Sequence, residues 1–262
     1  FTPESIRAFW NEMGISKTES IIPMTVLENA VRNDLNARAP RTMAVLNPLK
    51  VVLTNFPEGE TEWLEAPLHP QDESMGTRQV PLTREIWIER DDFMEHPPRK
   101  FFRLKPGGEV RLRNAFIIRC AEVIKNDAGD VVELRCEFDP ETRSGLPGAE
   151  RKVKGTIHWV SAEHGKPVEI RLCDRLFTVP NPLGDKRRDY REFLNPHSLD
   201  VLEGAIVEAA VAAGGPGDFY QFERNGYFCH DTVDSKPGRP VLNRIVTLRD
   251  SWARIEQELP RS

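Results

Sequence analysis

Apolar and polar residues alternate along residues 151–160, near the middle of the chain. The apolar residues fall on one side of an extended backbone: Val153, Ile157 and Trp159. The polar residues fall on the other side: Lys152, Lys154, Thr156 and His158. A period of two is typical of a strand with one buried face. The pattern therefore predicts a central strand with a basic, hydrogen-bonding outer face.

The first forty residues have a helical period instead. Thr2 and Pro3 suit the start of a helix, and Gly14 is placed to end it. The apolar positions of this helix are Ile6, Phe9, Trp10 and Met13. A second helix is predicted over about residues 24–36, and its apolar positions are Val26, Leu27, Ala30, Val31 and Leu35. Two such short helices cannot form a core alone, so we expect them to pack on other elements.

From residue 42 onward the pattern changes to short β-branched segments separated by Gly and Pro turns. Strands are predicted at residues 44–54, 84–90, 109–113, 115–123, 131–138, 168–177 and 241–248. Hairpin turns are predicted at residues 127–130 and around Asn225-Gly226. Residues 199–213 are compatible with a strand or a short helix, and a short helix carrying Trp252 and Ile255 is expected last. Such closely spaced strands indicate β-barrels or sandwiches.

The composition is that of an ordinary soluble globular protein, with 39% hydrophobic and 29% charged residues among 262. No run approaches the ~18 apolar residues of a membrane span, and nothing at the start resembles a signal peptide. The four cysteines lack Cys-x-x-Cys spacing, which predicts free thiols in a cytoplasmic protein. Because the first residue is Phe1 rather than Met, we expect a fragment or a processed product.

The sequence lacks the common motifs of catalysis and nucleotide binding. There is no P-loop, no dinucleotide-binding glycine motif after a strand and no His-x-x-x-His pair. The six histidines are scattered without metal-ligand spacing. We therefore predict no catalytic residue, no metal and no cofactor in this chain.

One segment is strongly basic although the net charge is -5, a value that argues against a general nucleic-acid binder. Residues 99–119 contain one acidic residue, Glu109, and interleaved Phe101, Phe102 and Phe116. Their cationic residues are Arg99, Lys100, Arg103, Lys105, Arg111, Arg113 and Arg119. Guanidinium groups bind base edges and phosphates, and planar groups stack on bases, so this mixture favours a single-stranded RNA loop. Solvated surface charge is the simpler interpretation of any one of these residues.

Several runs, in order, resemble the carboxy-terminal half of bacterial glutaminyl-tRNA synthetase. They are residues 40–45, 109–114, 152–162, 167–172, 174–177, 221–224, 226–229 and 248–250 with Trp252. The ATP-binding signatures of that family, a His-x-Gly-His turn and a Lys-Met-Ser-Lys-Ser-type loop, do not occur here. The resemblance therefore implies the anticodon-binding half without the catalytic domain.

The fold that this resemblance implies is mainly β, with two barrels like that of ribosomal protein L25 after a small helical subdomain. The implied domains are a helical connector at 1–40, a first anticodon-binding barrel at 41–144 and a second at 145–262, with the last strands and helix returning to the first barrel. The implied intact protein is a cytoplasmic, monomeric class I aminoacyl-tRNA synthetase that uses ATP as a glutamine–tRNA ligase. Its implied partners are the anticodon stem-loop of glutamine tRNA and the missing catalytic domain, with no membrane.

The resemblance also implies roles at the anticodon, position by position. Arg41 and Gln221 match residues that recognise the middle base, uridine, and Arg103 matches the arginine that reads the third base, guanosine. Arg111 matches a residue that faces the first base, and Arg113 stands beside it.

Three further positions are placed near the same surface: Gln71, Lys100 and Arg224. Gln71 occupies a loop position where the family often has Asn, and Lys100 and Phe102 replace a glutamine and a lysine, so third-base and loop contacts can differ. Lys152 and Lys154 serve either phosphates or solubility.

Three alternatives stay open at this point. The chain could belong to a related synthetase for glutamate, although the run at residues 152–159 favours glutamine. It could be a stand-alone RNA-binding module of the L25 type, or a β-rich interaction domain without a nucleic-acid role. The basic segment at residues 99–119 distinguishes the last alternative, because reversing its charge leaves such a domain unaffected.

Overall fold

The computed structural model describes residues 1–14, 17 and 22–249. Its helices are α1 (Pro3–Met13), α2 (Met24–Arg38) and α3 (Ala209–Ala212). Its strands are β1 (Arg41–Thr42), β2 (Ala44–Val45), β3 (Pro48–Leu53), β4 (Glu62–Pro67), β5 (Thr77–Leu82), β6 (Glu85–Glu89), β7 (Glu109–Leu112), β8 (Ile117–Lys125), β9 (Val131–Asp139), β10 (Thr156–Ile157), β11 (Trp159–Ser161), β12 (Lys166–Cys173), β13 (Leu199–Val207), β14 (Phe219–Phe222), β15 (Gly226–His230) and β16 (Val241–Val246). The predicted helix around Trp252 and Ile255 lies outside the described residues.

The fold class predicted from the sequence is confirmed. The chain is mainly β, with two nearly closed, barrel-shaped sheets and a small helical amino-terminal part. It forms two compact units: unit 1 comprises Phe1–Pro40, Ile170–Val201 and the described residues from Gly215 onward, and unit 2 comprises Arg41–Glu169 and Leu202–Gly214. The boundaries of the three expected domains stay a prediction.

Helix α1 begins and ends where the sequence predicts, and α2 begins as predicted but ends two residues later, at Arg38. The Thr2 side chain accepts a hydrogen bond from the Ser5 amide, and Gly14, at φ +65°, ends α1. Thr2 also donates to Asp34 of α2 at 2.6 Å. The predicted apolar face of α1 is largely exposed, since Ile6 and Trp10 are 40% and 61% accessible.

Unit 1 has its core between α2 and the adjacent strands β14, β15 and β16. The buried residues of this core are Val31, Leu35, Ala39, Tyr227 and Val246. Nη1 and Nη2 of Arg175 donate to the two oxygens of the Glu28 carboxylate of α2, at 2.5 and 2.9 Å. The hairpin predicted around Asn225-Gly226 joins β14 to β15, with Phe222 opposite Gly226.

Unit 2 is built on a seven-stranded sheet with the order β10-β7-β8-β9-β3-β6-β11. The turn predicted at residues 127–130 joins β8 to β9 as an antiparallel hairpin. The alternation predicted for β6 is confirmed, because Ile86 and Ile88 are fully buried and Trp87 is only partly so. The sequence left residues 199–213 open, and they form both β13 and α3. This sheet carries the elements that position the candidate site.

The predicted central strand is interrupted. β10 runs parallel to β7, whereas β11 runs antiparallel to β6, so the chain changes partner at His158. Thr156 is exposed and Ile157 is buried as predicted, but His158 is 0% accessible. Its predicted place on an outer face is therefore wrong, because at the change of partner both sides of the chain are covered.

His158 lies against a buried carboxylate. Its Nε2 atom is 3.3 Å from Oε1 of Glu89. The Leu46 amide also donates to Oε1 at 2.9 Å, and the Asn47 amide donates to Oε2 at 3.0 Å. Burial of the Glu89 carboxyl opposes its ionisation, but the bonds from His158 and the two amides outweigh burial and hold the pKa of Glu89 below its usual value. The ionised carboxylate thus joins three segments of unit 2.

We expect Glu89→Gln to lower the free energy of unfolding by about 1–3 kcal/mol at neutral pH, because it weakens these bonds. Since the folded-state pKa is lowered, this stabilisation is complete above the unfolded pKa of about 4.3 and is lost as the pH falls through the folded pKa. Urea unfolding of both proteins across the acid range measures the difference. A difference that does not shrink in acid would show that the charge of Glu89 is unimportant.

Candidate nucleic-acid interface

The basic segment and the central run meet at a cavity of about 340 Å³ in unit 2, here called the basic cavity. Its cationic lining residues are Arg99, Arg103, Lys105, Lys152 and Lys154. Phe101, Phe102 and the single carboxylate of Glu109 also line it. Cations and exposed rings around one cavity provide contacts for phosphates and for an unstacked base.

The backbone at Gly155 lies close to the backbone at Phe102, and this approach places the two lining segments side by side. A Cβ atom at Gly155 would lie 2.0 Å from the carbonyl oxygen of Phe102, so only glycine fits there without a shift. The Lys154 ammonium then lies 5.5 Å from the centre of the Phe102 ring, within cation–π range. The sequence leaves the roles of Lys152 and Lys154 open. The glycine at position 155 is the one local feature that indicates a close approach of these lysines to another segment.

The carboxylate of the basic cavity is compensated from outside the lining. Oε2 of Glu109 is 2.6 Å from the guanidinium of Arg151, which also lies 3.2 Å from Asp139. The hydrogen bond to Glu109 raises the pKa of Arg151 above its usual value. Because Arg151 pairs with Glu109, the lining of the basic cavity contains five cations and no unpaired anion.

Arg103 is oriented by its own neighbours. Its Nη1 donates to the Asp91 carbonyl at 3.0 Å, and its Nε lies 3.3 Å from a carboxylate oxygen of the fully buried Asp92. These contacts do not use Nη2, and the side chain is 44% accessible. A fixed guanidinium with unused donors is suited to a bidentate acceptor such as a guanine edge or a phosphate.

Arg111 points its guanidinium at main-chain carbonyls. It donates to Thr142 at 2.8 Å and to Ala149 and Arg151 at 3.0 Å each, so it fastens residues 142–151 to β7. Arg113 follows β7, and its carbonyl accepts a hydrogen bond from the Trp159 indole at 3.0 Å. Neither arginine lines the basic cavity. Their expected roles at the first anticodon base stay predictions.

Arg111→Ala should release the segment 142–151, because three carbonyls lose their donor at once. We expect faster cleavage of this segment by a protease of broad specificity and a loss of about 1–3 kcal/mol in unfolding free energy. The exposed Arg119→Ala is the matched control. Identical cleavage of both variants would contradict this role of Arg111.

The other expected residues of unit 2 lie outside the lining of the basic cavity. Arg41 is buried, at 6% accessible, and its amide donates to the Leu68 carbonyl at 2.7 Å. Gln71 is exposed, and its amide donates to Nδ1 of His69 at 3.2 Å. Lys100 is exposed between two lining residues, Arg99 and Phe101.

Unit 1 carries the two remaining expected residues on one hairpin. Gln221 belongs to β14, and its amide donates to the Pro40 carbonyl at 2.9 Å. Its side-chain Oε1 is buried without a hydrogen-bond partner, a state shared within the described residues only by Oγ1 of Thr42. Arg224 lies in the following turn at φ +70°. Since buried acceptors are normally satisfied, Oε1 of Gln221 is suited to a donor from a ligand.

The described part of the chain also bears on metal binding and on membrane insertion. It contains no group of three or more His, Cys, Asp or Glu side chains arranged to hold a metal ion. None of the described helices is long and apolar enough to cross a membrane.

Two family models match the chain, and both describe the anticodon-binding domain of class I tRNA synthetases (E and Q). One matches residues 39–139 and the other residues 156–231. The first covers the strands and loops that form most of the basic cavity.

Curated relatives match along almost the whole chain. A glutamine–tRNA ligase of Xanthomonas euvesicatoria is 55% identical over 255 residues, which is 97% of this chain and 44% of that protein. Those of Pseudomonas putida and Cupriavidus metallidurans are 53% and 52% identical, over 96% and 97% of this chain and 44% of each protein. The chain thus spans less than half the length of these relatives. It belongs to the anticodon-binding domains of the class I tRNA synthetases for E and Q.

Proposed function

We propose that this chain binds the anticodon loop of glutamine tRNA. The observation that carries the proposal is the basic cavity, where five cations surround two phenylalanine rings and the Glu109 carboxylate is paired with Arg151. An anticodon offers this cavity a phosphate backbone and bases that can leave their stack. The similarity to glutamine–tRNA ligases supports the choice of tRNA.

Within the basic cavity, each kind of side chain has a separate task. The Nη2 donors of Arg103 bind the guanine edge of the third anticodon base, which offers O6 and N7 as acceptors. Phe102 presents a half-exposed ring to a base. Lys152 and Lys154 neutralise the phosphates that lead into the cavity.

In unit 1, Oε1 of Gln221 accepts a hydrogen bond from the imino N–H of the middle base, uridine. The support is the buried, unpartnered state of this oxygen. The roles proposed for Arg41, Gln71, Lys100, Arg111, Arg113 and Arg224 follow from the resemblance and await mutation.

We further propose that a catalytic domain joins glutamine to the bound tRNA with ATP, in a cytoplasmic, monomeric protein. The support is that the curated glutamine–tRNA ligases extend well beyond the matched region, which is 44% of their length. This chain contributes the binding of the anticodon and no catalytic residue.

The test is binding of the chain to the anticodon hairpin of glutamine tRNA over a salt series. Hairpins changed at the middle or the third anticodon base serve as competitors. We expect each change to weaken binding by about 1–3 kcal/mol, and log Kd to vary linearly with log salt. Salt-dependent binding that ignores both changes would contradict base recognition, and no binding at low salt would contradict RNA binding by the chain.

A further inference from the structure

Two of the four cysteines face each other inside unit 2. Cys120 of β8 and Cys136 of β9 are direct partners in the antiparallel register. Both side chains are 0% accessible and belong to the same apolar core. The Cys120 thiol also donates to the Glu122 carbonyl at 3.7 Å. The other two cysteines, Cys173 and Cys229, are exposed and partly exposed.

The main chain places this pair in the closer of the two antiparallel arrangements. The Cys120 amide donates to the Gly108 carbonyl at 3.1 Å, and the Cys120 carbonyl accepts from the Gly107 amide at 2.9 Å. Both polar groups of Cys120 are therefore directed away from β9. In a pair without mutual main-chain bonds the Cα atoms are about 4.5 Å apart, which lies within the range of about 4.4–6.8 Å that a disulfide spans.

We propose that Cys120 and Cys136 are an oxidisable pair that closes to a cross-strand disulfide when a peroxide reaches it. The Cys120 thiolate attacks one peroxide oxygen, so an S–O bond forms, the O–O bond breaks, and hydroxide leaves and is protonated to water. The Cys136 sulfur then attacks the Cys120 sulfur, so the S–S bond forms and the S–O bond breaks. The leaving hydroxide takes up the Cys136 proton as a second water. Two thiols have lost two electrons, and the peroxide has gained them.

The surroundings assign the first step to Cys120. The hydrogen bond from the Cys136 thiol holds the pKa of Cys120 below its usual value, while the same bond and burial raise the pKa of Cys136. The pairing register shifts between Cys120 and Glu122, and this bulge interrupts the ladder next to the buried sulfur. Opening of β8 at the bulge admits the peroxide, so oxidation should be slower than at the exposed Cys173.

The position of the pair gives the bridge a structural consequence. The main chain of Cys120 is hydrogen-bonded to Gly107 and Gly108, and Gly108 lines the basic cavity. A bridge to Cys136 would fasten β8 to β9 directly behind this turn. Cross-linking restricts the unfolded chain, so the oxidised protein should also unfold at a higher temperature. This inference does not depend on RNA binding.

The test uses a Cys173→Ser/Cys229→Ser background, so that only the buried pair remains. The folded protein is treated with hydrogen peroxide, denatured with a maleimide and weighed by mass spectrometry. We expect a loss of about 2 Da from two hydrogens with no maleimide adduct, reversal by dithiothreitol, and a rise in Tm on the order of 5 °C. Adding Cys120→Ser should abolish the mass loss and the Tm rise and leave one maleimide adduct.

Two maleimide adducts after a peroxide exposure many times longer than the one that oxidises the exposed Cys173 in the unmodified chain would overturn the proposal. Oxygen added to either sulfur without a bridge would overturn it as well. If the background variant has a lower Tm, the unmodified chain is treated in the same way, digested and searched for the peptide pair that contains Cys120 and Cys136. Absence of that pair would count against the proposal.

Discussion

Replacing Arg78 by alanine is expected to lower the free energy of unfolding by about 3–5 kcal/mol. Arg78 and Glu208 form a bidentate pair at 2.8 and 2.9 Å, with side chains only 9% and 7% accessible. The same carboxylate accepts the Met43 amide at 2.6 Å. Without Arg78, the Glu208 carboxylate keeps the hydrogen bond from the Met43 amide but loses its paired cation. Leaving one member of a buried ion pair uncompensated is strongly destabilising.

A double variant separates the charge from the packing of this pair. Arg78→Met with Glu208→Met removes both charges, so we expect a smaller loss than for Arg78→Ala alone. Urea unfolding, followed by fluorescence at fixed pH and salt, measures all three proteins. If Arg78→Ala costs less than about 1 kcal/mol, or the double variant costs more than the single one, the pair does not hold unit 2 together as described.

Reversing the charge of both lysines of the basic cavity is expected to weaken binding of the glutamine anticodon hairpin on the order of 100-fold at 0.1 M salt. Lys152→Glu with Lys154→Glu removes two cations and adds two anions beside a polyanion, and the cost per charge follows from counterion release. Because phosphates carry no base identity, all hairpins should lose affinity alike. The salt slope should fall as well.

The matched control reverses two lysines of unit 2 that do not line the cavity, Lys125 and Lys166. It changes the net charge of the protein by the same amount. Filter binding or fluorescence anisotropy compares the two double variants. Equal losses of affinity would assign the effect to net charge and would contradict a role of the cavity lysines.

Local patterns in the sequence were enough to predict most of the elements. The caps at Thr2 and Gly14, the hairpin turn at residues 127–130 and the alternation of Ile86 and Ile88 are all set by neighbouring residues. The alternation wrongly predicted an exposed side chain at His158, because its burial depends on strands β6 and β7, which are distant in the sequence. On α1 the period correctly predicted the helix, although Trp10 on its apolar face is exposed.

The site was predictable in composition and not in arrangement. The density of cations at residues 99–119 located the basic segment, but the pattern could not show that Arg111 is used by the main chain while Lys154 reaches the Phe102 ring. Such contacts depend on backbone approach at Gly155. The Arg78–Glu208 pair spans 130 positions and left no local signal at all.

The most direct test of anticodon recognition is the affinity of the chain and of Arg103→Ala for hairpins with guanosine or adenosine at the third anticodon position. We expect the unmodified chain to prefer guanosine by about 1–3 kcal/mol and the variant to bind both hairpins equally, because the oriented guanidinium of Arg103 provides the contact. An undiminished preference for guanosine in Arg103→Ala would contradict this expectation.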